Sequence, residues 1–343
     1  MTFRVLAVGD KFIPASAYED QWKRMNAGSI EMPEIEIRTV EWGLSKTEQH
    51  RLQQVMEWKG ANAVAAPPEI LAELKGVDAL MVHFAPVNSA VIAAAPGLRL
   101  IAVARAGLEN VDQEAAKMRG IDVSGVAGRN AAAVAELAIG LMLAECRNIA
   151  RADHSIKEGG WRKDFAVPMV ELGESTIGII GWGHVARQLA GKLSGLAGEI
   201  LVHDPFVRAQ EIEAAGARAA AFDEVFSRSD FVHVMARLTP ETERFIGREQ
   251  FHSMKHTAYF INTARSRLVD YEALLDALTH KTIAGAGLDV FDQEPLPYDS
   301  LWRELDNVTM TTHYGGDTTG TNGKSAQLAL EAVSAFIRDE TRG

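Results

Sequence analysis

The sequence predicts an α/β protein built from two doubly wound parallel-sheet domains, and three observations predict it. Short apolar runs alternate with helix-length segments along the 343 residues, the rhythm of parallel α/β architecture. The runs are apolar on both sides, as strands covered by helices on two faces must be. The length suits two domains at the usual ~100–200 residues each.

The first five strand runs are FRVLAV (3–8), IEIRTV (35–40), ALMVHF (79–84), LRLIAVA (98–104) and IDVSGV (121–126). Between the second and third, KGANAVAAPPEI (59–70) reads as an inserted surface loop. Asn130 is placed to N-cap a helix through AAAVAELAIGLMLAECRNIA. That helix is apolar nearly all round, so it is expected to be buried, partly against another subunit. Six further strand runs follow: TIGIIG (176–181), EILVHD (199–204), DFVHVMA (230–236), AYFINT (258–263), TIAGAGLDV (282–290) and NVTMTT (307–312). Six strands separated by helix-length segments is the count of a complete doubly wound nucleotide-binding domain. The last helix, SAQLALEAVSAFIRD, lies outside that count and is expected to pack back on the first domain. The expected division is therefore 1–127 with 316–343, and 128–315.

Bulk composition excludes several functions. A net charge of -11 argues against a nucleic-acid surface, which needs clustered Lys and Arg. Cys146 is the only cysteine, so the chain has no internal disulfide and no CxxC metal site; it reads as a core filler. No run approaches the ~18 apolar residues of a membrane span, and the N-terminus lacks a signal-peptide pattern. The expectation is a soluble, cytoplasmic protein without a metal.

GIIGWGHVARQLAG contains Gly181-Trp-Gly183-His-Val-Ala186 directly after a strand and at the start of a helix. An acid, Asp204, ends the next strand, near the ~20-residue spacing of a ribose contact. Gly181 would permit the tight turn, Gly183 the approach of a pyrophosphate, and Ala186 close helix–strand packing. The helix start would offer N–H groups to the phosphates. Asp204 would accept both ribose hydroxyls of NAD and repel the 2′-phosphate of NADP. NAD is the expected cofactor, in a Rossmann domain.

Ligands of open α/β sheets bind at the carboxyl ends of the strands. Three late strands end in chemistry: Arg265 after AYFINTA, Glu294 after GLDVFDQEP and His313 after NVTMTT. Taken singly, a solvated loop arginine, a turn glutamate before Pro295 and a satisfied loop histidine are all reasonable. Together, at one edge of one sheet, they suggest a site for an anionic substrate.

GIIGWGHVA, RLTPETERFIG, INTARSRLVD, GLDVFDQEP and THYGG resemble, in order and approximate spacing, the D-isomer specific 2-hydroxyacid dehydrogenases. The first domain is similar more loosely, through LIAVARAGLENVD and GRNAAAVAE. The resemblance implies hydride transfer between NAD and a small anionic 2-oxo or D-2-hydroxy acid, a flavodoxin-like substrate domain completed by the C-terminal helix, and a homodimer. It implies that Arg265 clamps the substrate carboxylate, that His313 is the general acid or base, and that Glu294 fixes its tautomer and favours the charged ring. Asp289 would bind the carboxamide, and His184, Val185, Thr263, Gly315 and Gly316 would complete the cofactor contacts. Around Arg105, Ala106 and Gly107, backbone N–H groups would cradle the carboxylate, with His83, Arg105, Trp161 and Tyr314 as candidates for side-chain selectivity.

Val82-His83-Phe84-Ala85-Pro86 replaces the arginine-bearing segment usual in phosphoglycerate dehydrogenases. A phosphoglycerate dehydrogenase is thus the second reading within the family, and a non-catalytic NAD-sensing scaffold the reading outside it. Arg237, in MARLTPET, is a further candidate anion contact.

Overall fold

A computed structural model describes residues 2–27, 34–167 and 169–342. The chain forms two compact units, residues 1–129 with 317–343, and residues 130–316. Strands are numbered in chain order. Unit 1 holds β1 (Phe3–Gly9), β2 (Ile35–Glu41), β3 (Ala79–Val82), β4 (Leu100–Val103) and β5 (Asp122–Gly125). They form one parallel sheet in the order β2-β1-β3-β4-β5.

Alternation along β1 separates the two faces of this sheet. Phe3, Val5 and Ala7 pack with Tyr18 and with Ala326, Leu330 and Val333 of the helix Thr319–Arg342. Leu6 and Val8 pack on the opposite side with Ile70, Leu74, Val91 and Ile92. The C-terminal helix thus covers one face of unit 1. Segment 59–70 is not a surface loop. It contains a 3₁₀ turn, Ala61–Ala63, and the start of the helix Pro68–Glu73, and it buries Ala61, Val64 and Ile70. Its small residues and paired prolines hide the apolar side chains that anchor it.

Unit 2 holds β6 (Thr176–Ile180), β7 (Glu199–His203), β8 (Arg218–Ala219), β9 (Phe231–Val234), β10 (Tyr259–Asn262), β11 (Gly285–Leu288) and β12 (Val308–Met310). The parallel sheet runs β12-β11-β10-β9-β6-β7-β8, with seven strands where the sequence suggested six. The addition, β8, is a two-residue edge strand beside Leu201 and Val202. It carries no apolar run to announce it, and its Arg218 pairs with Glu199 and Glu224.

The helix Ala131–Cys146 lies on this sheet and buries Val134, Ala138, Leu141, Met142 and Cys146. Its girth is absorbed largely within unit 2. A Cβ on Gly287 would stand 2.8 Å from the Leu141 Cβ, so the strand needs glycine there to let the helix approach. Asn130 makes no side-chain capping bond, contrary to expectation. Its amide instead lies where a Cβ on Gly316 would fall, 2.7 Å from Nδ2. Cys146 is packed in the core, and burial pushes its thiol up to about 11, far from nucleophile chemistry.

Candidate active site

The order of the seven-stranded sheet reverses between β6 and β9, so a crevice opens beyond the carboxyl end of β6. The turn Gly181–Gly183 occupies that position. Gly181 has φ +95°, and a Cβ there would sit 2.7 Å from the Ala236 Cα; no other residue type suits both constraints. Around Gly183 a Cβ would meet nothing within 4 Å. The glycine therefore leaves open space, followed by the helix His184–Leu193, whose first-turn N–H groups face away from the helix body. His184 is exposed and Val185 half-buried at that start.

Asp204 sits just past β7, and its carboxylate ties two loops. One oxygen accepts the Trp182 N–H at 2.7 Å and the other the Phe206 N–H at 2.9 Å. Each oxygen retains a lone pair for an outside donor. Thr263, just past β10, has a buried hydroxyl without a hydrogen-bond partner among the described residues. An orphaned buried hydroxyl, an open glycine turn, a helix start and a terminal carboxylate fit a dinucleotide.

His313, Glu294 and Arg265, the three candidate residues, follow adjacent strands in the order β12, β11, β10. His313 Nδ1 lies 2.9 Å from Glu294 Oε2, and the pair is largely shielded, with side-chain exposures of 25% and 10%. Glu294 Oε1 accepts the Phe291 N–H at 2.7 Å, so the carboxylate is fixed to its own loop before it reaches the imidazole. His313 adopts φ +55°, a left-handed conformation that a non-glycine residue holds only when its surroundings impose it.

Asp289 imposes it. Its Oδ1 accepts from the Thr311 hydroxyl at 2.5 Å and the Tyr314 N–H at 3.2 Å, and its Oδ2 accepts the Gly315 N–H at 3.0 Å. The structure thus puts Asp289 to work as the brace of the turn on both sides of His313. Sequence reasoning, which gave it a cofactor contact, missed this role.

Arg265 is half-buried in the loop after β10, two strands from His313, at the same sheet edge. At the usual ~4.8 Å per strand their backbones are about 10 Å apart. Asn262 shapes that loop: its Oδ1 accepts the Ala264 N–H at 3.0 Å, and its Nδ2 donates to the Arg265 carbonyl at 3.2 Å. Tyr271 receives the same amide at 3.3 Å and donates to the Val290 carbonyl at 2.5 Å, linking the Arg265 loop to the segment after β11. Neither Asn262 nor Tyr271 was singled out in the sequence. A polar residue closing an otherwise apolar strand was the available signal.

In unit 1, the Ala106 and Gly107 N–H groups have no hydrogen-bond acceptor among the described residues. The Arg105 side chain is buried and paired with Glu57 at 3.2 Å and Glu109 at 3.3 Å. His83 is buried as well, with both ring nitrogens engaged: Nδ1 lies 3.0 Å from Asp10 Oδ2 and Nε2 3.0 Å from an Arg129 nitrogen. An arginine can only donate, so Nε2 accepts and the imidazole is neutral. Burial also lowers this histidine's pKa. Burial opposes the charge on Asp10, but His83 and the Ile13 and Phe12 N–H groups outweigh it and hold the carboxyl low. Trp161 and Tyr314, in unit 2, are exposed.

Residues 139–315 match the family model described as D-isomer specific 2-hydroxyacid dehydrogenase, NAD binding domain. The chain is 36% identical over 308 residues to a glyoxylate reductase of Korarchaeum cryptofilum, covering 88% of this chain and 91% of that one. It is 37% identical over 275 residues to a D-3-phosphoglycerate dehydrogenase of Methanocaldococcus jannaschii, covering 79% of this chain but 52% of that one. It shares the fold of the NAD-complexed D-isomer specific 2-hydroxyacid dehydrogenase of Lactobacillus delbrueckii ssp. bulgaricus, with a TM-score of 0.77 at 22% identity and 98% of each chain covered.

Proposed function

Because the chain belongs to the D-isomer specific 2-hydroxyacid dehydrogenase family and is an NAD-dependent oxidoreductase of small 2-oxo and D-2-hydroxy acids, we propose that Arg265, Glu294 and His313 carry its reaction. The observation that carries this reading is the Glu294–His313 contact at the carboxyl edge of the NAD-binding sheet. In this reading unit 2 binds the dinucleotide and unit 1 binds the substrate.

Bound nicotinamide supplies or accepts the hydride at the substrate's C2; everything else falls to the chain. The Arg265 guanidinium meets the substrate carboxylate with planar paired donors, and its charge steadies the oxygen as it becomes anionic. Glu294 holds His313 through Nδ1, so Nε2 is the atom that delivers the proton to the oxygen in reduction and removes it in oxidation. Asp289, Thr311 and the Gly315 N–H keep the imidazole in place, with Gly316 ending the turn.

Gly181, Gly183, His184, Val185 and Thr263 take the dinucleotide, and Asp204 takes the adenosine ribose. A carboxylate already held by two backbone N–H groups cannot turn away from a 2′-phosphate. The native enzyme is therefore expected to show kcat/KM for NADH about 100-fold above that for NADPH, a few kcal/mol of discrimination. Comparable values for the two would remove Asp204 from this role.

The reading extends to a cytoplasmic homodimer. Among the described residues no helix is long and apolar enough to cross a membrane. The helix Ile149–Lys157 has no buried residue, and Ile149, Ile156 and nearby Trp161 are 55%, 56% and 76% exposed. This is the apolar stripe a second copy would cover, and it lies beyond the 131–146 helix to which the sequence pointed. Sedimentation giving only monomer at micromolar concentration would exclude the dimer, and recovery from the periplasm or medium would exclude the location.

A further inference from the structure

Two exposed side chains flank the crevice of unit 2 and have no part in the hydride and proton chemistry. Across the reversal the sheet order is β9-β6-β7, so the segments leaving β9 and β7 stand on either side of the glycine turn that leaves β6. Arg237 lies three residues past the end of β9, and Phe206 three residues past the end of β7.

The Phe206 N–H is held by Asp204 Oδ1 at 2.9 Å, with Pro205 stiffening the backbone between them. Val207, its neighbour, packs against a core cluster of unit 2, whereas the Phe206 ring is 93% exposed. A large apolar ring is therefore left in water beside a carboxylate that still has lone pairs to offer.

Arg237 shows the same arrangement on the other side. Ala236 and Leu238 pack against a core cluster, and Arg237 between them is exposed. The Thr242 hydroxyl donates to the Arg237 carbonyl at 2.7 Å and accepts the Thr239 N–H at 2.8 Å, which fixes the backbone beneath the side chain. The guanidinium has no hydrogen-bond or ion-pair partner among the described residues. A Cβ on Gly181 would stand 2.7 Å from the Ala236 Cα, so Arg237 leaves the chain one residue beyond a close approach to the glycine turn.

β7 and β9 are two strands apart, which at ~4.8 Å per strand sets their carboxyl ends about 10 Å apart. A flat base fits between a phenyl ring on one side and a guanidinium plane on the other, since both stack on a π-face without needing a matched edge. A phosphate would answer the charge of Arg237 but leave the Phe206 ring in water; a purine accounts for both.

We infer that Phe206 and Arg237 clamp the adenine of the dinucleotide, with Arg237 acting as a stacking plane and not as an anion contact. The inference rests on the proposed placement of the dinucleotide by Gly181, Gly183 and Asp204, and it adds the residues that recognise the base.

The test is equilibrium binding of NADH and of ADP-ribose to the full chain by isothermal titration calorimetry. Both side chains are exposed, so neither replacement opens a core. Phe206→Ala and Arg237→Ala should each weaken both ligands by about tenfold, the share of one stacking partner. Phe206→Trp should stay within about twofold of native. Arg237→Lys should lose nearly as much as Arg237→Ala, because an ammonium keeps the charge without the plane. Native affinity in Arg237→Lys, or a loss confined to NADH and absent with ADP-ribose, overturns the clamp. Asp204→Ala reports on the dinucleotide's placement separately. If it weakens NADH while Phe206→Ala and Arg237→Ala bind like the native protein, the clamp falls and the placement stands. If none of the three weakens NADH, both fall.

Discussion

The variant His313→Asn is expected to lose about 10²–10⁴-fold in kcat, the usual share of a positioned general acid, while its affinity for NADH stays within about twofold. Asparagine is the informative replacement. Residue 313 sits at φ +55°, a conformation that asparagine tolerates better than alanine. Its amide can still donate to Glu294, so the turn braced by Asp289 survives, but it has no proton to give to an oxygen near neutral pH. The expected loss is in kcat, with KM little altered, because the proton moves only as the transition state is reached. Measured by single-turnover absorbance with saturating NADH, a rate within tenfold of native would take His313 out of the chemistry.

Substituting Arg265 with lysine is expected to lower kcat/KM by about 10²–10⁴-fold, and with alanine by somewhat more. Two charge-assisted hydrogen bonds at about 1.5–3 kcal/mol each account for that range. Lysine keeps the charge but not the planar fork, so the carboxylate is held at one point and the carbonyl is free to swing. Both kcat and KM should worsen, because the contact strengthens as charge develops on the oxygen. A rise in KM alone, with kcat intact, would make Arg265 an anchor for the ground state and leave the oxygen's charge to other groups. Circular dichroism of both variants should match the native protein, since Asn262 and Tyr271 still hold the Arg265 loop when the guanidinium's bond to the Ala264 carbonyl is lost.

These two residues show what a sequence makes legible. Arg265, Glu294 and His313 stand out because each interrupts the passage from an apolar strand to a helix, and the parallel topology puts all such junctions at one edge. Gly181 and Gly183 are legible for a similar reason, since the strand–turn–helix context restricts what a glycine can be doing. The partners of these residues are less visible. Asp289 meets Thr311, Tyr314 and Gly315 across more than twenty residues, and its bracing role depends on hydrogen-bond directions that no spacing encodes.

His83 is the clearest case. As a loop histidine it invites a ligand contact, but the topology sets β1 beside β3 and brings it against Asp10, 73 positions away. Arg105 similarly reads as an open cation until the fold supplies Glu57. Charges look available in a sequence because their compensating partners are remote in it. Segment 59–70 and β8 failed for a different reason: each is short and poor in large apolar residues, so periodicity has nothing to register.

Hydride transfer to C2 is tested by following the transferred hydrogen itself. Native protein should be incubated with NADH deuterated at the transferable C4 position and a 2-oxo acid that it turns over, and the product analysed by chiral chromatography and mass spectrometry. A D-2-hydroxy acid carrying one deuterium at C2 is expected, formed by the native chain and suppressed in His313→Asn. An L-product, or a product with deuterium absent from C2, would contradict it.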